Sequence, residues 1–253
     1  MSRNEEFSVK ESGTRASGNT LSATVLRTEL RLCAPGTPPV TILDLEIAAG
    51  SFDFSAGQYL EVLHPSGESI PLSIASTPRR LPVLRLHYRS MPGAPGAAAM
   101  DELLSSAENG RLRLKIRGPS GSIRVDATET QRVFLITGGT GTAQAQSIAE
   151  TLESAGTDRG HLLLACADDD ADFYCTDLFD QLSCLRCHFI ADADRSPRNR
   201  CLCWLRERAV GQMPARIIAS GSPGFVYAVT DTLLELGIAK HSIESDVFAY
   251  APR

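Results

Sequence analysis

Short runs of alternating apolar and polar residues fill the first half of the chain. Residues 23–32, 40–47, 58–63 and 83–88 are rich in β-branched, leucine and aromatic side chains, as is typical of strands. Pro-Gly and Pro-Ser-Gly turns separate several of these runs, and one helix is predicted over 97–107. About six strands with a single inserted helix predict an antiparallel β-barrel over residues 21–127.

The second half of the chain alternates strands with helices. Strands are predicted at 133–137, 161–166, 186–192 and 216–221, each a short apolar run of the kind buried in a parallel sheet. Helices are predicted after the first strand and at 173–182, 201–209 and 223–237. This order predicts a doubly wound α/β domain over residues 128–253.

Composition narrows the class of protein. With 43% hydrophobic and 22% charged residues, the chain has the make-up of a packed globular protein, and its formal charge of −5 argues against nucleic-acid binding. No apolar stretch approaches the roughly 20 residues of a membrane span. Residues 1–20 are polar and lack an apolar centre, so we expect a flexible leader, no signal peptide and a cytoplasmic location.

Seven cysteines raise the question of a metal. Cys184 and Cys187, followed by Cys201 and Cys203, could supply four thiolates to zinc or to an iron–sulfur cluster. However, the pattern places Cys187 in a strand and the last two in a helix, where residues two apart point in different directions. Buried thiols that pack as small apolar side chains are therefore the preferred interpretation, with no metal bound.

Two glycine-rich turns follow predicted strands. The first contains Gly138, Gly139, Thr140 and Gly141. The second turn carries another such set: Ser220, Gly221, Ser222, Pro223 and Gly224. Such turns allow a backbone to approach a phosphate or a flat ring at the start of a helix, so together they predict a dinucleotide site. The alternative is that each glycine only serves a tight turn.

Several motifs together resemble one family. Ala56-Gly57-Gln58-Tyr59-Leu60 and the run from Pro71 to Pro78 resemble the flavin-binding strands of the ferredoxin–NADP reductase superfamily. The two glycine turns resemble its nicotinamide-side loops, and Ser245–Tyr250 resembles its C-terminal strand. The resemblance covers residues 21–253 and is strongest to bacterial NAD(P)H:flavin reductases. It implies a flavin on the barrel and a nicotinamide nucleotide on the α/β domain.

The resemblance also implies roles for particular residues. Ser73 would hydrogen-bond the reactive ring nitrogen and guide a hydride, which makes it the candidate catalytic residue. The remaining candidates would contact the flavin or the nucleotide, although Tyr59 could equally be core packing, and Tyr88 and Arg89 could equally be surface residues. They are Tyr59, Pro71, Leu72, Tyr88, Arg89, Gly96, Gly138, Gly139, Thr140, Gly141, Asp168, Ser220, Gly221, Pro223, Phe248 and Tyr250.

The chain departs from the family pattern in two places. Ile70 stands where an Arg usually pairs with the flavin phosphate or ribityl chain, and an apolar side chain cannot replace that contact. Arg79 and Arg80 are the nearest candidates to compensate. Ser220 stands where a Cys is common beside the nicotinamide.

Four carboxylates follow the second strand of the α/β half, at Asp168, Asp169, Asp170 and Asp172. Carboxylates there would repel a 2′-phosphate and accept a hydrogen bond from a free 2′-hydroxyl, so NADH is expected to be preferred over NADPH. The alternative is a solvated acidic turn.

The leading hypothesis is therefore an NAD(P)H-dependent reductase that passes a hydride from NADH to a flavin. The flavin could be FAD, FMN or riboflavin. The electron acceptor could be free flavin, an oxygenase or an iron–sulfur protein. The rival hypothesis is a non-catalytic binding or regulatory relative that has lost the flavin, for which Ile70 and Ser220 are the evidence.

Overall fold

The computed structural model describes residues 19–106, 112–156, 159–196, 199–208 and 216–253. The predicted leader lies almost entirely outside this part of the chain, as do the last residues of the predicted helices 97–107 and 201–209. Within the described residues, no helix is long and apolar enough to cross a membrane.

Six antiparallel strands form the first sheet, in the order β4-β3-β6-β1-β2-β5. Their bounds are β1 Asn19–Arg31, β2 Val40–Glu46, β3 Tyr59–Leu63, β4 Ser69–Ser73, β5 Val83–Arg89 and β6 Arg113–Ser120. The sheet closes on itself through a bridge between Ile74 and Leu86, which joins its two edge strands. Leucine, isoleucine and valine side chains on alternate positions fill the interior, so the predicted barrel is confirmed.

A helix lies between the last two strands of the barrel. This helix, α1 Ala97–Ser105, buries Ala99 and Met100 against the barrel interior. Gly96 precedes it with a φ of +75°, a backbone conformation that favours glycine.

Five parallel strands form the second sheet, in the order β11-β10-β7-β8-β9. Their bounds are β7 Val133–Gly138, β8 His161–Ala167, β9 Leu185–Ala191, β10 Arg216–Ser220 and β11 Ile243–Glu244. The helices between them are α2 Thr142–Ser154, α3 Thr176–Phe179, α4 Arg200–Arg208, α5 Pro223–Glu235 and α6 Val247–Tyr250. Helices α2 and α3 pack on one face of this sheet and α4 and α5 on the other, so the predicted doubly wound sheet is also confirmed.

Two elements differ from their predictions. The predicted helix 173–182 shrinks to α3 because the ring of Phe173 packs edge-on against Phe189, at 5.4 Å, outside the helix. The predicted C-terminal strand at 245–250 is wrong, since β11 ends at Glu244 and α6 follows. Helical turns form there instead: the amide of Ala249 donates to the carbonyl of Asp246 at 3.0 Å.

Helix α2 joins the two sheets. Its Ser147 hydroxyl donates to the carbonyl of Ser76 at 2.7 Å, and its Ile148 shares an apolar cluster with Ala56 and Val125 from the barrel half. The helix that begins at the first glycine turn is therefore anchored on the barrel.

Five of the cysteines, Cys166, Cys175, Cys184, Cys187 and Cys201, pack in the apolar clusters of the α/β half. All seven are free thiols, and Cys184 and Cys201 lie in different apolar clusters on opposite faces of the parallel sheet. Cys187 lies in β9 and Cys203 in α4, as predicted. The described part of the chain contains no group of three or more His, Cys, Asp or Glu side chains placed to hold a metal ion.

Candidate active site

A cleft of about 160 Å³ lies where the barrel meets the carboxyl edge of the parallel sheet. Its walls come from three regions: the β3–β4 pair of the barrel, the two glycine turns, and the segment that leads into α6. Ligand pockets are usually larger, at roughly 300–1,000 Å³. The cleft therefore suits one flat ring, with the remainder of a larger ligand lying along the surface.

The barrel wall presents Leu72 and Ser73 at the end of β4, with Tyr59 paired opposite Ser73 on β3. Leu72 is 9% exposed, whereas Ser73 and Tyr59 are half-buried. Within the described residues, the hydroxyl of Ser73 has no hydrogen-bond partner. It is therefore available to a ligand in the cleft.

The two glycine turns form the opposite wall and lock together. The hydroxyl of Ser220 donates to the carbonyl of Gly141 at 2.9 Å. A Cβ on Gly141 would overlap the carbonyl group of Ser220, and one on Gly221 would lie 2.9 Å from the carbonyl oxygen of Gly138. These glycines are required by the contact between the turns. Thr140 and Gly141 line the cleft, while Gly139, at φ +56°, faces open space.

Asp246 is a cleft residue that the motifs did not single out. Burial raises its pKa to about 6, although hydrogen bonds from the side chain of Gln144 and the backbone of Ser122 act in the opposite direction. Gln144 donates to this carboxylate at 2.9 Å and to the carbonyl of Gly57 at 2.6 Å. Asp246 can therefore hold or release a proton in the cleft near neutral pH.

Tyr250 closes the cleft on the solvent side. Its side chain is 56% exposed, and burial and the nearby Asp246 together raise its pKa. The pKa of Tyr59 is also raised, mainly by burial and next by the charge of Asp246. The charge of Asp246 thus acts on both tyrosines that line the cleft.

His87 is a second cleft residue that was not predicted. It is 2% exposed, and burial, followed by the charge of Arg85, lowers its pKa to about 3, so the imidazole is neutral. Its Nδ1 lies 3.1 Å from the hydroxyl of Tyr174, which joins the barrel to the α/β half. Its Nε2 has no hydrogen-bond partner in the described part of the chain.

Several predicted site residues lie outside the cleft. Tyr88 belongs to the barrel core, where its hydroxyl group contacts the carbonyl of Ala97 at 3.0 Å and Asp101 at 2.8 Å. Arg89 donates to the thiol of Cys33 at 3.0 Å. Phe248 packs on Tyr227, with ring centroids 5.8 Å apart.

The other predicted contacts also lie away from the cleft. Gly96 faces Ile70, and Pro223 begins α5, where it is exposed. Gly138 lies beneath the ring of Phe225. Asp168 forms an exposed ion pair with Arg195. The structure thus brings together Tyr59, Pro71, Leu72, Ser73, Thr140, Gly141, Ser220, Gly221 and Tyr250.

The acidic loop has structural roles beyond exposure to solvent. Asp169 accepts from the amide of Ala171 at 2.9 Å, and the buried Asp172 accepts from the amide of Ala34 at 3.1 Å. Asp168, Asp169 and Asp170 are all exposed near the end of β8.

Known proteins share parts of this sequence and its fold. No protein-family model matches the chain. The phenol hydroxylase P5 protein of Acinetobacter pittii (strain PHEA-2) is 33% identical over 131 residues, which is 51% of this chain and 36% of that protein. Reductase component 1 of terephthalate 1,2-dioxygenase from Comamonas sp is 27% identical over 226 residues, covering 85% of this chain and 66% of that protein. The chain therefore spans from about a third to two thirds of the length of these relatives.

Solved structures share the fold of this chain. The Amycolatopsis cytochrome P450 reductase GcoB superposes with a TM-score of 0.74 and 25% identity, over 90% of this chain and 69% of that one. The chain has the fold of the ferredoxin–NADP reductases. A ferredoxin NADP+ reductase from Neisseria gonorrhoeae, with bound FAD and NADP, shares the fold with a TM-score of 0.70 and 18% identity over 90% of this chain and 98% of that one.

The shared fold agrees with the two halves seen in the structure. The barrel followed by the parallel sheet is the arrangement that the motifs predicted. Leu72 and Ser73, which the motifs predicted to lie beside the flavin ring, both line the cleft.

Proposed function

We propose that this protein is an NADH-dependent reductase that transfers a hydride from the nicotinamide to a flavin ring held in the cleft. The observation that carries the proposal is the convergence of Ser73 and Leu72 on β4 with both glycine turns around one ring-sized space. The barrel half, residues 21–127, would hold the flavin, and residues 128–253 would hold the nucleotide. The names of the relatives, which are reductase components of oxygenase systems, favour the same activity.

The residues present fit the ring of a flavin. Leu72 supplies an apolar surface, and Tyr59 and Tyr250 supply aromatic ones. Ser73 supplies a hydroxyl group that has no hydrogen-bond partner among the residues the structure describes. When bound, a flavin supplies the capacity to accept two electrons as a hydride.

The chain's own contribution is position and proton control. The interlocked glycine turns hold Thr140 and the start of α2 against the cleft, where backbone amides and the helix N-terminus favour the nucleotide phosphates. The hydroxyl of Ser73 would orient the ring, and Asp246, with a pKa of about 6, could take up or release a proton beside it. The side chains of Tyr59 and Tyr250 would shield one side of the bound ring from water.

Preference for NADH is proposed from the loop after β8. A 2′-phosphate there would meet the exposed carboxylates of Asp168 and Asp170, of which Asp168 is paired with Arg195. Substitution Asp168→Ala should narrow the ratio of kcat/KM for NADH to that for NADPH. An unchanged ratio would contradict the assignment of this loop to the ribose.

The electron acceptor is proposed to be an oxygenase or an iron–sulfur protein. This proposal is based on the names of the relatives, several of which are components of multi-protein oxygenases. Free flavin is the alternative acceptor, and a test of reduced-flavin release distinguishes the two.

An anaerobic titration tests the central proposal. The purified protein is mixed with a flavin and then with NADH, and the visible flavin absorbance is followed against a protein-free control. Bleaching faster than the control is the expected result. Absence of both flavin binding and bleaching would refute the reductase and favour a non-catalytic relative.

A further inference from the structure

Among the titratable side chains that line the cleft, His87 is the most deeply buried. It lies on β5 between Leu86 and Tyr88, which both belong to the barrel core. Successive residues of a strand point to opposite faces, so the imidazole lies on the outer face of the barrel, where it meets Tyr174 of the α/β half. His87 is thus held at the junction of the two halves.

Ser73 stands beside His87 on the barrel wall. The bridge that closes the barrel joins Ile74 to Leu86 in antiparallel register, so Ser73 and His87, one step further on, are opposite each other. Both line the cleft. Among the described residues, neither the hydroxyl of Ser73 nor Nε2 of His87 has a hydrogen-bond partner. The wall therefore presents two neighbouring polar groups to a ligand.

The two ring nitrogens of His87 have different surroundings. Nδ1 lies 3.1 Å from the hydroxyl of Tyr174, a residue that does not line the cleft. Nε2, on the other side of the ring, is buried and has no partner in the part of the chain that the structure describes. Buried polar groups are nearly always hydrogen-bonded, so an unpartnered nitrogen beside a cleft indicates a partner that a ligand supplies.

The contact with Tyr174 decides which nitrogen carries the proton. Burial, followed by the charge of Arg85, lowers the pKa of His87 to about 3, so the ring is neutral and has one donor and one acceptor nitrogen. We assign the hydroxyl of Tyr174 as the donor to Nδ1, because a phenol is a stronger donor than a neutral imidazole. The ring proton is then on Nε2, which offers an uncharged N–H group to a carbonyl oxygen.

The first glycine turn lies directly against the strand that carries His87. Residues Gly139–Gly141 contact β5, and Thr140 and Gly141 line the cleft together with the imidazole. Under the proposed function this turn belongs to the half that holds the nucleotide, so the nicotinamide ring enters beside it. The carboxamide of that ring is uncharged and carries a carbonyl oxygen, which matches a neutral N–H donor.

We propose that His87 is a specificity-determining residue of the cleft, whose Nε2–H group donates a hydrogen bond to the carboxamide oxygen of the nicotinamide. The proposal rests on the proposed function and names a barrel residue that recognises the nucleotide. Tyr174 is the positioning residue, because its hydroxyl holds the imidazole at Nδ1.

Nucleotides that differ only in the carboxamide test the proposal. The full chain is saturated with FAD and titrated calorimetrically with NAD or with thionicotinamide adenine dinucleotide, in which sulfur replaces the carboxamide oxygen. Flavin and nucleotide are both oxidised, so binding is measured without turnover. Sulfur is the weaker acceptor, so the wild-type protein should bind NAD about fivefold more tightly than the thio analogue. Equal affinities would overturn the proposal even if no variant could be prepared.

Two substitutions form a matched pair. The amide of His87→Asn reaches the position of Nδ1 only, so this variant should lose the preference for NAD over the thio analogue. The longer side chain of His87→Gln places an amide N–H group near the position of Nε2, so this variant should keep the preference. Circular dichroism establishes that both proteins fold.

The remaining outcomes separate this proposal from the proposed function. A preference that persists in folded His87→Asn would overturn the role of His87 and leave the reductase standing. Loss of the preference in both variants would also overturn it, because the imidazole would then act only as a packed ring. Failure of the wild-type protein to bind either FAD or NAD would overturn the proposed function together with this proposal.

Discussion

Asp246 should make the stability of the protein fall as pH rises. Its carboxyl group has a pKa of about 6 in the folded chain, against an ordinary value of 3.8, and burial is the main cause. The folded state therefore binds more protons than the unfolded state between these two values, so the free energy of unfolding decreases through this window. A difference of roughly two pKa units corresponds to about 3 kcal/mol, taken as an upper figure because Asp246 is partly exposed.

The substitution Asp246→Asn removes this titration and keeps an oxygen that can accept from Gln144. Relative to wild type, the variant should gain stability as the pH is raised from about 4 to about 8, by up to about 3 kcal/mol. Urea unfolding followed by circular dichroism at a series of pH values measures the difference between the two proteins.

A matched control lies on α5. Asp231 is exposed and paired with Arg253, and its pKa is lowered, so Asp231→Asn should show no such gain as the pH rises through 6. Parallel curves for wild type and Asp246→Asn across the whole range would refute the reasoning, because they would mean that Asp246 has the same pKa in both states.

Four further substitutions, one of them a control, test the site and its support. Ser73→Ala should slow flavin reduction by NADH by about tenfold in stopped-flow traces. Thermal stability should not change, since the hydroxyl has no hydrogen-bond partner among the described residues. An unchanged rate would show that Ser73 has no part in the mechanism. Gly141→Ala should force the two glycine turns apart and weaken NADH binding in a fluorescence titration, whereas Gly224→Ala, where a Cβ meets open space, should not; equal affinities in the two variants would contradict this. Tyr88→Phe should lower the free energy of unfolding by about 1–2 kcal/mol without changing flavin affinity, because its hydroxyl contacts α1 and not the cleft. A variant that is as stable as wild type but no longer binds flavin would show that Tyr88 belongs to the binding site instead.

The pattern of apolar residues was sufficient for the architecture. Alternation in the first half and continuous apolar runs such as 133–137 in the second reflect the burial of one or both faces of a strand, which depends on local sequence. The same local logic failed at 245–250, since backbone hydrogen bonds there form helical turns around Asp246 rather than extending β11.

The chemistry of the site was only partly accessible from sequence. Ser73 and the glycine turns lie in recognisable motifs, whereas Asp246 and Gln144 are about a hundred positions apart and meet only in the folded chain. A partial signal was nevertheless present, because Gln144 and Ser147 are polar residues that stand among the alanines and Ile148 of α2. Buried polar groups need partners, which in this protein are supplied by the barrel.

The anchoring of α2 on the barrel has a consequence for how the protein unfolds. Ile148 completes an apolar cluster that also contains Ala56 and Val125, and Ser147 bonds the backbone of the barrel half. Neither sheet can lose its structure without exposing part of the other's core. We therefore expect the two halves to melt as one cooperative unit, and a chain divided between residues 127 and 128 to yield fragments that are each less stable than the whole.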